Sequence, residues 1–262
     1  MVSVWRRRPT PYKVTEEGYT PGQKIFIEEE ADRAFLGILE SFSQEQPLVV
    51  SQTHAVRRAE LKALQLVVAQ RLELRVPRTL LTNDSAAVRT FYDECEGRVI
   101  LKAVSRGIID EQSDELNKAL YTTKIEPEHL AEERLQQVRL TGHVFQEYIP
   151  KALEVRVVAI GKRVFTAEIH SPHLDFRERY GDNTYKVHHL PAAVEQQVLA
   201  LVKEFELQFS SMDLLVSPDG EYLFIDLNPN GQYYWIQQHI GEDFPVKESM
   251  ADLLAFPEDF RL

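Results

Sequence analysis

The sequence predicts an α+β fold, and three stretches carry that reading. Residues 154–160 and 163–169 alternate side chains on either side of Gly161-Lys162, the pattern of an antiparallel hairpin. Residues 192–207 repeat Val194, Val198, Leu201, Val202 and Phe205 at helical spacing with charges opposite, which core packing alone explains. Residues 212–232 read as a second hairpin around Ser217-Pro218-Asp219-Gly220, with Pro early and Gly late as turns prefer. Neither Gly-x-x-x-x-Gly-Lys nor Gly-x-Gly-x-x-Gly occurs, so a nucleotide, if bound, is held another way.

Taken in order, residues 2–5 are strand-like and precede a loop broken by Pro9, Pro11, Gly18, Pro21 and Gly22. A helix is expected over about 28–42. From Thr53 a second helical stripe, Leu61, Leu64, Val68 and Leu72, runs beside a basic face with Arg57, Arg58, Lys62 and Arg71. Residues 76–84 form a strand ending in an Asn-Asp-Ser cap, followed by a short helix to about Glu94. Residues 99–103 are a buried strand carrying Lys102. An ammonium inside an apolar run needs a partner, so it meets a phosphate or snorkels at an edge. Residues 104–143 are polar and weakly periodic, with 119–125 alone strand-like, and the strand pattern returns at 144–149. The stretch 170–190 holds His170, His173, His188 and His189, but no Cys or close carboxylate spacing supports a metal site there. A helix is expected over 232–239 and a last short one at 251–254.

The chain of 262 residues is long enough for one large domain or two modest ones. A net charge of −11 argues against a general nucleic-acid surface, although Arg6, Arg7 and Arg8 form a local basic patch that suits an acidic peptide or a nucleotide. No apolar run approaches a membrane span, the start has no signal-peptide core, and the single cysteine, Cys95, excludes an internal disulfide framework; a cytoplasmic location is expected.

The second hairpin carries the sharpest chemistry. With four turn residues between its strands, Val216 faces Glu221, Asp213 faces Phe224, and Asp226 becomes the diagonal neighbour of Asp213, with Asn228 following on the same face. Two carboxylates and an amide oxygen at diagonal range, roughly 7–8 Å between backbones, can hold a hard cation between their tips. So few oxygen ligands leave open positions, which suits magnesium shared with substrate phosphates. A solvated acidic edge is the alternative, and the apolar strands around the three residues weigh against it.

Two separated lysines, a Gln-Glu-Tyr-Ile strand, a Glu-x-Arg strand and an acid…acid-x-Asn hairpin, in that order, resemble the ATP-grasp ligases. More closely, Thr79-Leu80-Leu81-Thr82-Asn83, Tyr121-Thr122-Thr123-Lys124-Ile125, Gln146-Glu147-Tyr148-Ile149-Pro150-Lys151, Asp175-Phe176-Arg177 and Asp226-Leu227-Asn228-Pro229-Asn230-Gly231-Gln232 look like the microviridin-type (graspetide) peptide maturases, over roughly residues 50 to 255. The resemblance implies an ATP-grasp fold in which two α+β subdomains sandwich ATP, here 49–142 and 143–262, after a segment 1–48 that is the remnant of a preceding domain and a linker helix. It implies a ligase forming an acyl-phosphate on an Asp or Glu side chain of a leader-bearing precursor peptide, captured by an amine or hydroxyl as an amide or ester. Another carboxylate–amine ligase, such as a glutamate-adding one, and a shortened non-catalytic ATP- or peptide-binding chain remain as alternatives, and homodimerisation stays open.

On the same resemblance Lys62, Lys102 and Arg156 match phosphate-contacting positions, and Mg2+ falls to Asp213, Asp226 and Asn228. Gln146, Glu147, Tyr148 and Ile149 match the strand whose backbone meets adenine, and Glu154 the acceptor for the ribose hydroxyls. Arg177 is expected either to grip the acceptor carboxylate or acyl-phosphate in a bidentate fork, or to pair with Asp175 or Glu178. Arg156, Arg177 and Lys102 are thus the catalytic candidates. Asp226 stands where many relatives carry Glu, and the small α/β domain with which they begin is expected to be mostly missing.

Overall fold

The computed structural model describes residues 2–8, 10–44, 48–105, 108–109 and 118–262; Pro9 and most of the polar stretch 106–117 lie outside them. The chain begins with β1 (Ser3–Trp5), α1 (Pro21–Gln44) and β2 (Leu48–Val50), which pairs in parallel with β1. α1 starts earlier than its apolar spacing predicts. Thr20 and Gln23 form a reciprocal cap, Thr20 Oγ1 accepting from the Gln23 amide at 3.3 Å and Gln23 Oε1 from the Thr20 amide at 2.9 Å, with Pro21 in the first turn.

The stripe expected from Thr53 is two helices, α2 (Thr53–Ala59) and α3 (Lys62–Arg71). Leu61 is extended (φ −81°, ψ 96°) and 57% exposed, so it leaves the buried row and the chain turns there. Next come β3 (Thr79–Thr82), α4 (Ser85–Glu94), β4 (Val99–Lys102), β5 (Ile108–Ile109), β6 (Lys118–Ala119), β7 (Thr123–Lys124), α5 (Glu132–Leu135) and β8 (His143–Glu147). The expected cap of α4 forms, with the Asp84 carboxylate accepting from the Ala86 amide at 2.9 Å. Strands β3, β8, β4 and β7 make an antiparallel sheet in that order. Val88 and Phe91 of α4 and Leu135 of α5 cover it by packing on Val99 and Phe145.

The second sheet, in the order β11-β10-β9-β12-β13, contains β9 (Leu153–Ile160), β10 (Arg163–His170), β11 (Thr184–Val187), β12 (Phe209–Val216) and β13 (Tyr222–Asn228). Helix α6 (Ala192–Glu204) precedes β12. The chain closes with α7 (Tyr234–Ile240), as expected over 232–239, then α8 (Val246–Ala255) and α9 (Pro257–Phe260), more helix than the short segment expected at 251–254.

Strand β9 shows how this sheet positions a site. Its odd residues Val155, Val157 and Ala159 pack under α2, α3 and α6 with Phe205 and Leu214. On the opposite face Val158 and Ile160 pack with Phe209, Ile236, Val246 and Leu253. Each such burial stabilises by about 1.5–3 kcal/mol. Further along that second face the same alternation delivers Glu154 and Arg156, so the face turns from core to cleft within one strand. β8, which the expected boundary at 143 assigns to the later part, hydrogen-bonds into the first sheet, while α2 and α3, on the other side of that boundary, cover the second.

Candidate active site

The metal hairpin forms with a different register from the one expected. Asp213 pairs directly with Asp226, and Ser211 with Asn228, because Ile225 is an extra residue that bulges β13 between the Asp213 and Leu214 pairings. The turn is also longer, so Val216 faces Tyr222: Gly220, at φ +81°, donates to the Ser217 carbonyl at 2.9 Å and the Ser217 amide donates to the Glu221 carbonyl at 3.0 Å. One extra residue in the turn and one in the strand compensate. Asp213, Asp226 and Asn228 therefore still share a face, and the two carboxylates are direct cross-strand neighbours, with β-carbons about 4.5–5.5 Å apart.

That face suits magnesium. Asn228 Nδ2 donates to Asp226 Oδ2 at 3.0 Å, bringing amide and carboxylate together. Arg156, with its side chain 8% exposed, donates to Asp213 Oδ1 at 2.7 Å, to Ser211 Oγ at 2.8 Å and to the Gln232 carbonyl at 2.8 Å. Among the described residues no three His, Cys, Asp or Glu gather as a metal site. The four histidines make no such site either.

Across the cleft Lys102 donates to Gln146 Oε1 at 3.0 Å, and Gln146, 2% exposed, passes its own Nε2 to Thr79 Oγ1 at 2.9 Å. Burial pushes the Lys102 ammonium down to about 8, with Lys62 pushing the same way and Asp226 and Asp213 opposing. The lysine is thus neither a snorkelling edge residue nor neutral at pH 7. Lys62 reaches over from α3 to the Ala103 carbonyl at 2.9 Å. At the end of β8 the Glu147 amide donates to the Arg78 carbonyl at 2.8 Å, and just beyond it the Tyr148 amide donates to the Arg98 carbonyl at 2.9 Å. Ile149 holds the next amide along the cleft wall.

Glu154 sits in the cleft in an ion pair with Lys151, whose ammonium also donates to the His173 carbonyl at 2.8 Å and the Leu174 carbonyl at 3.1 Å. Burial raises the Glu154 carboxyl while Lys151 lowers it, with a net upward shift. Of the two expectations for Arg177, pairing with Asp175 is realised. Nε donates to Asp175 Oδ1 at 2.7 Å and Nη2 to Oδ2 at 2.6 Å. That uses the side-on fork; the end-on edge, one N–H each from Nη1 and Nη2, remains for a ligand. Asp175 is 5% exposed; burial alone would raise its carboxyl, and the Arg177 contacts outweigh that, taking it down to about 2.

All of Lys62, Lys102, Gln146, Glu147, Tyr148, Ile149, Glu154, Arg177, Asp213 and Asp226 line one cavity. A second cavity adjoins it through Lys62, Arg177, Asp213 and Asp226 and adds Arg156, Asn228, Arg8, Tyr180 and Trp235. Sequence reasoning gave no role to Lys151, Arg8, Tyr180 or Trp235. Lys151 lay within a quoted motif and Arg8 within the basic patch; only the fold brings them here.

A two-part cleft in which Lys62 and Lys102 meet a strand set carrying Arg156, Asp213, Asp226 and Asn228 has the layout of an ATP-dependent carboxylate ligase of the ATP-grasp class. No family model and no curated protein matches the sequence. Among solved structures, the macrocyclase MdnC from Microcystis aeruginosa MRC, bound with precursor peptide MdnA, is 30% identical over 97% of this chain and 78% of its own, with a TM-score of 0.84. The macrocyclase MdnB from the same organism is 28% identical over 97% of this chain and 77% of its own, with a TM-score of 0.78. A RiPP-associated ATP-grasp ligase from Chryseobacterium gregarium, in complex with ADP and a leader and core peptide, shares the fold at 24% identity over 97% of this chain and 76% of its own, with a TM-score of 0.82. The chain belongs to this family of ATP-grasp peptide ligases and macrocyclases. With 97% of this chain covered, the likeness extends into the first fifty residues as well as over the range expected.

Proposed function

We propose that this chain activates a side-chain carboxylate of a ribosomally made precursor peptide with ATP and closes an ester or amide crosslink within that peptide. The observation that carries this is the joined cleft, in which Lys62, Lys102 and Arg156 gather round Asp213, Asp226 and Asn228, with Arg177 at the junction. In this reading the Ile149 amide and the Gln146–Tyr148 backbone meet adenine, and Glu154 receives the ribose hydroxyls once Lys151 shifts its pairing. Asp213, Asp226 and Asn228 hold magnesium, which when bound screens the phosphate charges from one another. Lys62, Lys102 and Arg156 hold the negative charge that spreads over the phosphoryl oxygens as it passes to the carboxylate. Arg177, fixed by Asp175, offers its end-on edge to the acceptor carboxylate and then to the acyl-phosphate. The nucleophile attacks the acyl carbon, phosphate leaves, and the net products are ADP, phosphate and a peptide lighter by one water.

The precursor is taken with its leader, as in the relatives, and the reaction runs in the cytoplasm, where ATP and nascent peptides are supplied, without nucleic acid. Among the described residues no helix is long and apolar enough to cross a membrane. The subdomains are best drawn by sheet, with β3, β8, β4 and β7 in one and β9 to β13 with α2, α3 and α6 in the other.

The test is magnesium-dependent ATP binding by calorimetry, wild type beside an Asp226→Ala, Asn228→Ala double variant, followed by mass spectrometry of acidic peptides for loss of water. Binding lost in the double variant, with water loss catalysed by wild type, is expected. Undiminished magnesium-dependent binding by the double variant would overturn the metal assignment.

A further inference from the structure

Asp175 holds more than Arg177. From the opposite side Thr122 donates its hydroxyl to Asp175 Oδ2 at 3.2 Å, and its backbone amide approaches the same oxygen at 3.4 Å. The Arg177 amide closes the ring onto Oδ1 at 3.1 Å. Thr122 precedes β7, and the β4–β7 register pairs Ile100 with Lys124 and Leu101 with Thr123. Continued by one residue, that register sets Thr122 opposite Lys102. A single buried carboxylate therefore ties the strand framing the phosphate-side lysine to the guanidinium at the junction of the two cavities.

We propose that Thr122 is a positioning residue: by donating to Asp175 it fixes the Asp175–Arg177 pair, and with it the ligand-facing edge of Arg177, relative to Lys102. The physical reason is the shape of the pair. Three donors from Arg177, its Nε, Nη2 and backbone amide, leave the carboxylate free to swing with the guanidinium as one unit, because both belong to the same short loop. A fourth and fifth donor from the segment leading into the other sheet remove that freedom. A hydrogen bond to a charged acceptor is among the stronger neutral-donor contacts, and losing it loosens the local structure roughly tenfold or more. Thr122 neither touches the reacting atoms nor titrates; it acts through Asp175. The functional consequence rests on the reading of Arg177 as the acceptor-carboxylate residue.

The experiment uses the full chain with magnesium and ADP, comparing wild type, Thr122→Val and Thr122→Ser. The first readout is exchange of the Arg177 backbone and Nε protons by 15N NMR. Valine keeps the size and removes the hydroxyl, so exchange there is expected to rise roughly tenfold, while serine restores the wild-type rate and exchange in β9 stays unchanged in all three. Wild-type exchange in Thr122→Val, or serine failing to rescue, overturns the proposal. The second readout is titration with N-acetylglutamate N-methylamide, which presents one side-chain carboxylate, followed at Arg177 Nε. Weaker binding by Thr122→Val than by wild type and Thr122→Ser supports the positioning role, and equal binding by all three overturns its link to the acceptor. No response of wild-type Arg177 to the probe overturns the acceptor reading instead, while the exchange arm still judges the Thr122 contact.

Discussion

At the scale of single residues the site is a set of charges whose neighbours have already committed them. Lys102 gives the clearest pH signature. Its pKa is lowered to about 8 against 10.5 for the unperturbed side chain, so over that interval the unfolded chain binds more protons than the folded one. The cost of burying the ammonium is then present below about pH 8 and relieved as pH rises towards 10.5, so this residue makes stability rise with pH across that window. Nucleotide affinity follows the opposite course, falling as the ammonium is lost above about pH 8. Calorimetric titrations of magnesium–ATP from pH 7 to 9.5 should show that fall in wild type and a flatter profile in Lys102→Arg, whose guanidinium stays charged. Lys102→Ala is expected to abolish turnover while leaving the thermal transition in place.

Asp175 works with the reverse sign. Its folded-state carboxyl lies at about 2, below the unperturbed 3.8, so its contribution is complete above about pH 4 and lost only as pH falls towards 2. The identities of these residues were legible in the sequence, Lys102 because a lysine inside an apolar strand stands out, and Asp175 and Arg177 through the resemblance to the peptide maturases. Their pairings were legible only in part. The Arg177–Asp175 pair, two residues apart, was one of two expectations; that Arg177 gives it the side-on fork, and that Lys151 meets Glu154 three residues on while also reaching the His173 and Leu174 carbonyls, depends on how the loop after β10 folds back on the segment before β9.

At the scale of elements, two features keep the metal hairpin in shape. Gln65 of α3, 2% exposed, behaves as a stand-in for a missing strand residue on the free edge of β13. Its Nε2 donates to the Leu227 carbonyl at 2.8 Å and its Oε1 accepts from the Leu227 amide at 3.0 Å, between Asp226 and Asn228. Gln65→Leu would strand both backbone groups, at about 1–3 kcal/mol for each. A lowered midpoint in urea, with magnesium affinity reduced in the folded protein, is the expected result. Gly231 is the second feature. A β-carbon there would stand 1.5 Å from Ser211 Oγ, the atom that accepts from Arg156. Gly231→Ala should therefore cost about 1–3 kcal/mol and disturb Arg156; differential scanning calorimetry and ATP titration of the same sample would read both effects.

Alternation along β12 and β13 correctly placed Asp213, Asp226 and Asn228, the proposed magnesium ligands, on one face, since side-chain direction follows from strand geometry alone. It could not reveal the bulge at Ile225, because an apolar residue there fits either face. The break between α2 and α3 was hidden for the same reason: Leu61 continues the helical stripe in sequence and departs from it only in three dimensions.

At the scale of the whole molecule, stability and chemistry share one sheet. Phe205 is fully buried in the core beneath β9 and β12, on the reverse side from Arg156 and Asp213. Phe205→Ala is expected to cost about 3–5 kcal/mol. By contrast the Arg75–Glu221 pair lies in solvent, and Arg75→Gln should shift stability by less than about 1 kcal/mol. Chemical denaturation of the two variants side by side measures the difference. A large effect at Arg75 or a small one at Phe205 would mean that this layer is not the main source of stability.

Strand β9 sits at the centre of its sheet, between β10, which follows it at once, and β12, which arrives some fifty residues later. The order of synthesis makes that separation consequential. On the ribosome Lys62, Lys102 and Arg156 emerge before Asp213, Asp226 and Asn228, so the growing polypeptide carries the cations of its cleft before it has the carboxylates that answer them. On the site proposed above, magnesium-dependent nucleotide capture waits for the second hairpin to be made.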